Sequence, residues 1–209
     1  MFDADYYFTE KPTAENVFNR LVELVLKTLY GDTLLFYFTG HGDRRSASKN
    51  SNNNSNYFEY LLLAEDTIFT DVMMRQITEQ MCWGSCLVIL TDSCHSGGFL
   101  EGADEQIGCS IKKPTLPLFK GPLMRDLGIH ISACQSHEIT TFVSDKSRRD
   151  YGSTFTNALL KVLSESRGQV TYRELVDRIN EEFASQSKWP QTCGLYCSAE
   201  QSNKLFLKE

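Results

Sequence analysis

CLVILTDSCHSGG occupies residues 86–98. Its first seven residues form an unbroken apolar run that ends in an acid. The run is too short for a helix and rich in β-branched residues. It therefore reads as a strand covered on both faces. Such a strand needs helices above and below it, so the stretch points to a mostly parallel α/β sheet. In sheets of that kind, reactive groups gather at the carboxyl ends of the strands. Here that end holds Asp92, Ser93, Cys94, His95, Ser96, Gly97 and Gly98. Cys94 could be a nucleophile, a metal ligand or a buried thiol.

The flanking sequence supports the sheet. TLLFYFTG (33–40) is a second apolar run, read as a strand buried on both faces, and it leads into His41, Gly42 and Asp43. YLLLAED (60–66) and GIHISAC (128–134) read as further buried strands, with a last strand expected near 202–207. Between them lie amphipathic helical patterns at 13–30, 70–81, 151–166 and 171–187. Thr13 suits an N-cap and Gly31 a C-cap for the first helix. RRSASKNSNNNSN (44–56) is polar and without acids, which suits a surface loop. KKPTLPLFKGP (112–122) holds three of the five prolines and reads as an exposed linker. No internal repeat is present.

The chain has 209 residues, enough for one domain, with 41% hydrophobic residues to fill its core. A net charge of −6 gives no basic footprint for nucleic acid or an anionic membrane. No apolar run reaches membrane-span length. MFDADYYFTEKP is acidic and polar, unlike a signal peptide, and seven cysteines is an odd count. These features imply free thiols in a reducing cytoplasmic or nuclear setting.

If 33–39 and 86–92 are parallel neighbours, His41 and Cys94 meet at one sheet edge. An imidazole there could take the thiol proton, or stabilise the thiolate as imidazolium, and later protonate a leaving amine. Glycines beside both residues permit tight turns, and amides near Gly42 could receive an oxyanion. His95 is a poor base, because adjacent side chains rarely face each other on a strand or a helix. It is expected to pack beside the site. Asp92 either lines the site or caps the following turn. The pairs Cys82/Cys86 and Cys193/Cys197 have a spacing that zinc tolerates. However, Cys86 opens a buried strand and no His lies near the second pair, so no metal site is expected there. Cys134 and Cys109 read as core and loop thiols.

FYFTGHGD (36–43) and LTDSCHSGG (90–98) resemble the His and Cys motifs of metacaspases, the caspase-like cysteine peptidases of plants, fungi and protists. FLEGADEQIG (99–108), ISACQSHEITT (131–141), YGSTFTNAL (151–159) and QTCGLYCS (191–198) resemble the plant-type branch. The resemblance implies a caspase-like three-layer α/β/α sandwich. It would combine a large-subunit-like part (1–108), a linker (109–126) and a small-subunit-like part (127–209). It implies a cysteine endopeptidase in which Cys94 is the nucleophile, His41 the base, and Asp92 the acid that favours Arg or Lys at P1. A carboxylate in a pocket rewards a cation and rejects an anion.

The sequence departs from that family in three places. Family members begin with an additional strand and helix, whereas this chain starts at what resembles the second strand. The family's acid-rich loop and calcium ligands are thinned to Glu59, Asp66 and Asp71, with Glu101 beyond. Calcium is therefore an expected activator at most, with Asp71 and Glu101 as weak candidate ligands. The long insert between the two parts is short here, with Lys112, Lys113, Lys120 and Arg125 as candidate self-cleavage sites. An active form is expected to be a monomer acting on basic peptides. The alternative is a weak or inactive remnant that binds other caspase-like chains through an unpaired sheet position.

Overall fold

A computed structural model describes residues 10–46, 57–109, 127–145, 150–186 and 191–208. The loop at 47–56 and the linker positions Lys112, Lys113, Lys120 and Arg125 lie outside the described residues. In chain order the elements are α1 (Ala14–Val25), β1 (Thr33–Thr39), β2 (Gly42–Ser46), β3 (Tyr57–Leu62), β4 (Ile68–Thr70), α2 (Asp71–Thr78) and β5 (Cys86–Asp92). They continue as β6 (Glu105–Ile107), β7 (Ile129–Ser132), β8 (Phe142–Asp145), β9 (Asp150–Ser153), α3 (Thr154–Ser166), α4 (Tyr172–Gln186), β10 (Gly194–Tyr196) and α5 (Ala199–Ser202).

The central sheet runs in the order β1-β5-β7-β10-β6. Strands β1, β5 and β7 are parallel, while β10 pairs antiparallel with both β7 and β6. The sheet combines β1, β5 and β6, which precede residue 109, with β7 and β10, which follow residue 126. Strand β5 explains the layering. Its even residues Val88 and Leu90 enter one core with α3 and α4 residues such as Phe155, Leu159, Leu175 and Ile179. Its odd residues Leu87 and Ile89 enter a second core with Leu21, Val25, Met74 and Ile77 of α1 and α2. A period of two therefore feeds both helix layers, and the sandwich expected from 86–92 follows.

Four local expectations need correction. First, β1 is not buried on both faces: its residues alternate between exposed and half-buried. Among the described residues it pairs with β5 alone, which puts it at the edge of the described sheet. Phe36 and Phe38 pack on the α1 side, while Leu35 (49%) and Tyr37 (43%) stay exposed on the other.

Second, the 60–66 segment does not join the central sheet. Strand β3 lies in a separate antiparallel sheet ordered β2-β3-β4, and Ala64–Asp66 closes into a 3-10 turn. Glu65 and Asp66 adopt positive φ there (59° and 56°) and turn the chain back, so β3 pairs with β4 as a hairpin.

Third, α1 has its Thr13 cap but stops at Val25, well before Gly31. The Thr28 hydroxyl donates to the Val25 carbonyl (2.6 Å), satisfying an acceptor that a further turn would have used. Fourth, no strand forms at 202–207. Ser198 and Gln201 make a capping box that starts α5, and Leu205 contributes only an isolated bridge to Thr171. The last strand in chain order is instead β10, which sits between β7 and β6.

Candidate active site

The register of β1 and β5 builds the site. Thr39 lies opposite Asp92, and the Gly40 amide donates to the Asp92 carbonyl (3.2 Å). Both chains leave the sheet at that point. His41 and Cys94 each follow two residues beyond the last pair, so they share one edge, as the spacing predicted. The His41 carbonyl accepts the Leu62 amide (2.9 Å), and the chain then enters β2, which pairs along β3. The small antiparallel sheet is thus the brace for the histidine arm.

The two loops touch at Gly42. A Cβ there would lie 2.5 Å from the Cys94 carbonyl oxygen and 2.8 Å from Ser93 Oγ. Only glycine lets the backbones approach this closely. The cysteine loop is fixed from its other side. His95 takes a positive φ of 53°, and its amide donates to the Glu138 carbonyl (3.0 Å). Its ring Nδ1 lies 2.8 Å from the Ser136 carbonyl. A carbonyl can only accept, so Nδ1 carries the proton in that bond. His95 is therefore tied to the 134–138 loop, consistent with packing beside the site. A Cβ on Gly97 would meet the Ser136 amide nitrogen at 2.5 Å, so this turn too depends on a missing side chain.

The cysteines differ sharply in setting. Cys94 is half-buried at the sheet edge, with Sγ 3.6 Å from Thr140 Oγ1. His41 is exposed, and among the described residues no hydrogen bond joins it to Cys94. Cys134 is fully buried, and burial pushes its thiol up to about 12, which keeps it protonated and inert. Burial likewise raises Cys193 well above the ordinary thiol value. Cys109 is exposed. Among the described residues, no three His, Cys, Asp or Glu side chains form a metal-ligating group.

Asp92 is 1% exposed, but it does not cap the turn that follows it. Its carboxylate meets the N-terminus of α3. Ser153 Oγ donates to Oδ1 (2.6 Å) and Thr156 Oγ1 donates to Oδ2. Ser153 also caps the helix by accepting the Phe155 amide (3.1 Å). Burial raises the Asp92 pKa above the ordinary value, opposed by the two hydroxyls and the Thr156 amide.

Several residues around the site were not singled out by their sequence. Thr140, Ser153 and Thr156 are ordinary polar letters in helix-start and loop segments. Glu138 likewise carries no motif signal. Its carboxylate accepts the Gln135 amide (3.0 Å), the Thr192 amide (2.8 Å) and the Thr192 hydroxyl (3.1 Å), clasping the 134–138 loop to the segment before β10. Gln191 adds a second clasp, donating to the Ala133 carbonyl (2.8 Å) and accepting from Thr141. His137 is exposed at the rim. Asp71 is buried, with its oxygens accepting the Val72 and Glu59 amides, and the Glu101 carbonyl accepts from Arg75. Calcium at Asp71 would have to compete with those two amides.

The caspase-domain family model (Peptidase C14) matches residues 2–204. Metacaspase-6 of Arabidopsis thaliana is 35% identical over 103 residues, covering 49% of this chain and 28% of its own length. Metacaspase-4 of the same plant is 34% identical over 113 residues, covering 54% and 27%. Metacaspase-9 aligns over 265 positions at 25% identity, covering 95% of this chain and 81% of the relative. The chain thus spans under a third of the length of the first two relatives. The crystal structure of protein GSU0716 from Geobacter sulfurreducens superposes with a TM-score of 0.64 at 16% identity, covering 93% of this chain and 78% of that one, which supports the fold. The chain belongs to the Peptidase C14 caspase-domain family, and its relatives there are metacaspases.

Proposed function

We propose that this domain is a cysteine endopeptidase that hydrolyses peptide bonds after Arg or Lys. The observation that carries the reading is the meeting of the His41 and Cys94 loops at the carboxyl ends of two parallel strands, in contact through Gly42. In this mechanism the Cys94 thiolate attacks the scissile carbonyl carbon. The carbonyl π electrons move to oxygen, and backbone amides near Gly42 and Cys94 stabilise the oxyanion. Collapse of that intermediate breaks the C–N bond, while the His41 imidazolium protonates the leaving amine. The resulting thioester is attacked by water, with His41 taking its proton, and Cys94 leaves as the thiolate.

Asp92 supports the basic preference. Only neutral donors hold its carboxylate, and no cation among the described residues acts on it. A P1 guanidinium or ammonium nearby would supply the missing counter-charge. Calcium enters this scheme as an activator to be tested, and no chemical step runs through it. Protein or peptide chains with a basic residue are the expected substrates. The described chain has no helix long and apolar enough to cross a membrane.

The test is covalent trapping. A peptide chloromethyl ketone ending in Arg should alkylate the protein once, and peptide mapping should place the adduct on Cys94. His41→Ala should slow that labelling by orders of magnitude. Labelling that spreads over the exposed Cys109 at an equal rate would refute the assignment. The oligomeric state, measured alongside, separates this reading from a remnant that docks other caspase-like chains along β1.

A further inference from the structure

The carboxylate of Asp92 is held by a directed chain of hydroxyls that starts on another strand. Thr156 Oγ1 has one proton, which it donates to Asp92 Oδ2. Tyr37 Oη lies 2.8 Å from the same Thr156 oxygen. With the threonine proton already committed, Tyr37 must be the donor in that bond. The order is therefore Tyr37 O–H to Thr156 O–H to Asp92. Ser153 supplies a separate bond to the other carboxylate oxygen. Strand β5 carries the acid, α3 carries Thr156, and β1 carries Tyr37, so three elements converge on one carboxylate.

We propose that Thr156 is the positioning residue for specificity at this site, orienting the Asp92 carboxylate toward the P1 side chain, with Tyr37 as the outer link that fixes the threonine rotamer. This inference rests on the reading of Asp92 as the P1 acid. Thr156 touches no reacting atom. Its effect is to fix which Asp92 lone pairs are occupied and which remain for a substrate cation. A carboxylate offers about four acceptor positions, and losing one donor frees the group to rotate. Chained hydroxyls also strengthen each other, so Tyr37 acts on Asp92 at one remove.

The experiment compares two peptide substrates that differ only at P1, one with Arg and one with citrulline, its neutral isostere. Thr156→Val keeps the side-chain shape and removes the hydroxyl. It should lower the Arg-over-citrulline preference in kcat/KM by about tenfold, the size of one hydrogen bond to a charged group. The loss should lie in KM for the Arg substrate. Thr156→Ser should restore the preference. Tyr37→Phe should lower it by about threefold in the same direction, since a neutral bond is weaker. Ser153 is a poorer probe because it also caps α3. If Thr156→Val fails to fold, Tyr37→Phe carries the test on its own. Equal losses on both substrates, carried in kcat, would overturn the proposal in favour of a purely structural role.

Asp92→Asn separates the two levels. If it removes the Arg preference while Thr156→Val does not, the positioning claim is wrong and the P1 reading stands. If Asp92→Asn leaves the preference intact, the P1 reading itself is wrong.

Discussion

Replacing Gly42 with Ala adds one methyl group where the His41 and Cys94 loops touch. The new Cβ would sit 2.5 Å from the Cys94 carbonyl oxygen, inside the 3.0 Å floor of real Cβ contacts. The obstacle is backbone, so no rotamer change relieves it. At least about 0.5 Å of movement is needed to reach that floor. The histidine arm is pinned by the Leu62 amide on the His41 carbonyl and by the pairing of β2 with β3. The cysteine turn is pinned by the His95 amide on the Glu138 carbonyl. The displacement therefore falls on the separation of His41 and Cys94. A misplacement near 1 Å at a reacting pair costs on the order of a hundredfold, so kcat/KM should fall by about 10- to 100-fold. Overpacking of this size costs about 1–3 kcal/mol of stability. In a chain of this length that lowers Tm by roughly 2–4 °C per kcal/mol. The assay is steady-state hydrolysis of an Arg-ending fluorogenic peptide, with a thermal melt on the same sample. Wild-type kcat/KM together with an unchanged Tm would refute the claim that the loops meet at Gly42.

Two further outcomes follow from the same geometry. Glu138→Gln removes the charge from three hydrogen bonds that clasp the 134–138 loop to Thr192. It should destabilise the protein by about 1.5–3 kcal/mol, seen as a lower denaturant midpoint at constant m-value. An unmoved midpoint would show the clasp to be incidental. Asp92 should shape the pH profile. Its carboxyl titrates above the ordinary 3.8 because of burial, so the preference for Arg should fade on acidification at a pH above that value. Asp92→Asn should abolish this limb. The linked stability runs the opposite way to that of a salt-bridged acid. The folded state holds the proton more tightly than the unfolded chain, so the cost of ionised Asp92 at neutral pH is relieved as pH falls through its folded pKa.

The layered fold was legible because β5 is a pure apolar run, and such a run has no place except between two helix layers. The same logic failed for β1. TLLFYFT has the letters of a central strand, yet it stands at the described edge, with Leu35 and Tyr37 exposed. Composition reports what a strand can tolerate, while its neighbours are fixed by topology. YLLLAED was misplaced for a related reason: its apolar letters serve a core wall beside Phe69, in a second sheet that periodicity cannot distinguish from the first. The juxtaposition of the Cys94, His41 and Gly42 loops was legible because motif and strand end coincide. Thr156, Tyr37 and Glu138 could not, because each acts on residues distant in sequence. Only the fold shows that the start of α3, capped by Ser153 rather than beginning at 151, meets Asp92.

Turnover by the purified protein tests the central claim most directly. Fluorogenic peptides ending in Arg, Lys or Asp should be offered to the wild type, Cys94→Ala and His41→Ala, with calcium and with a chelator. The account predicts cleavage after Arg and Lys, none after Asp, and loss of activity in both variants; the calcium arms show whether the ion activates. A folded, monodisperse sample that cleaves none of the three, or a Cys94→Ala protein that still cleaves after Arg, would contradict it.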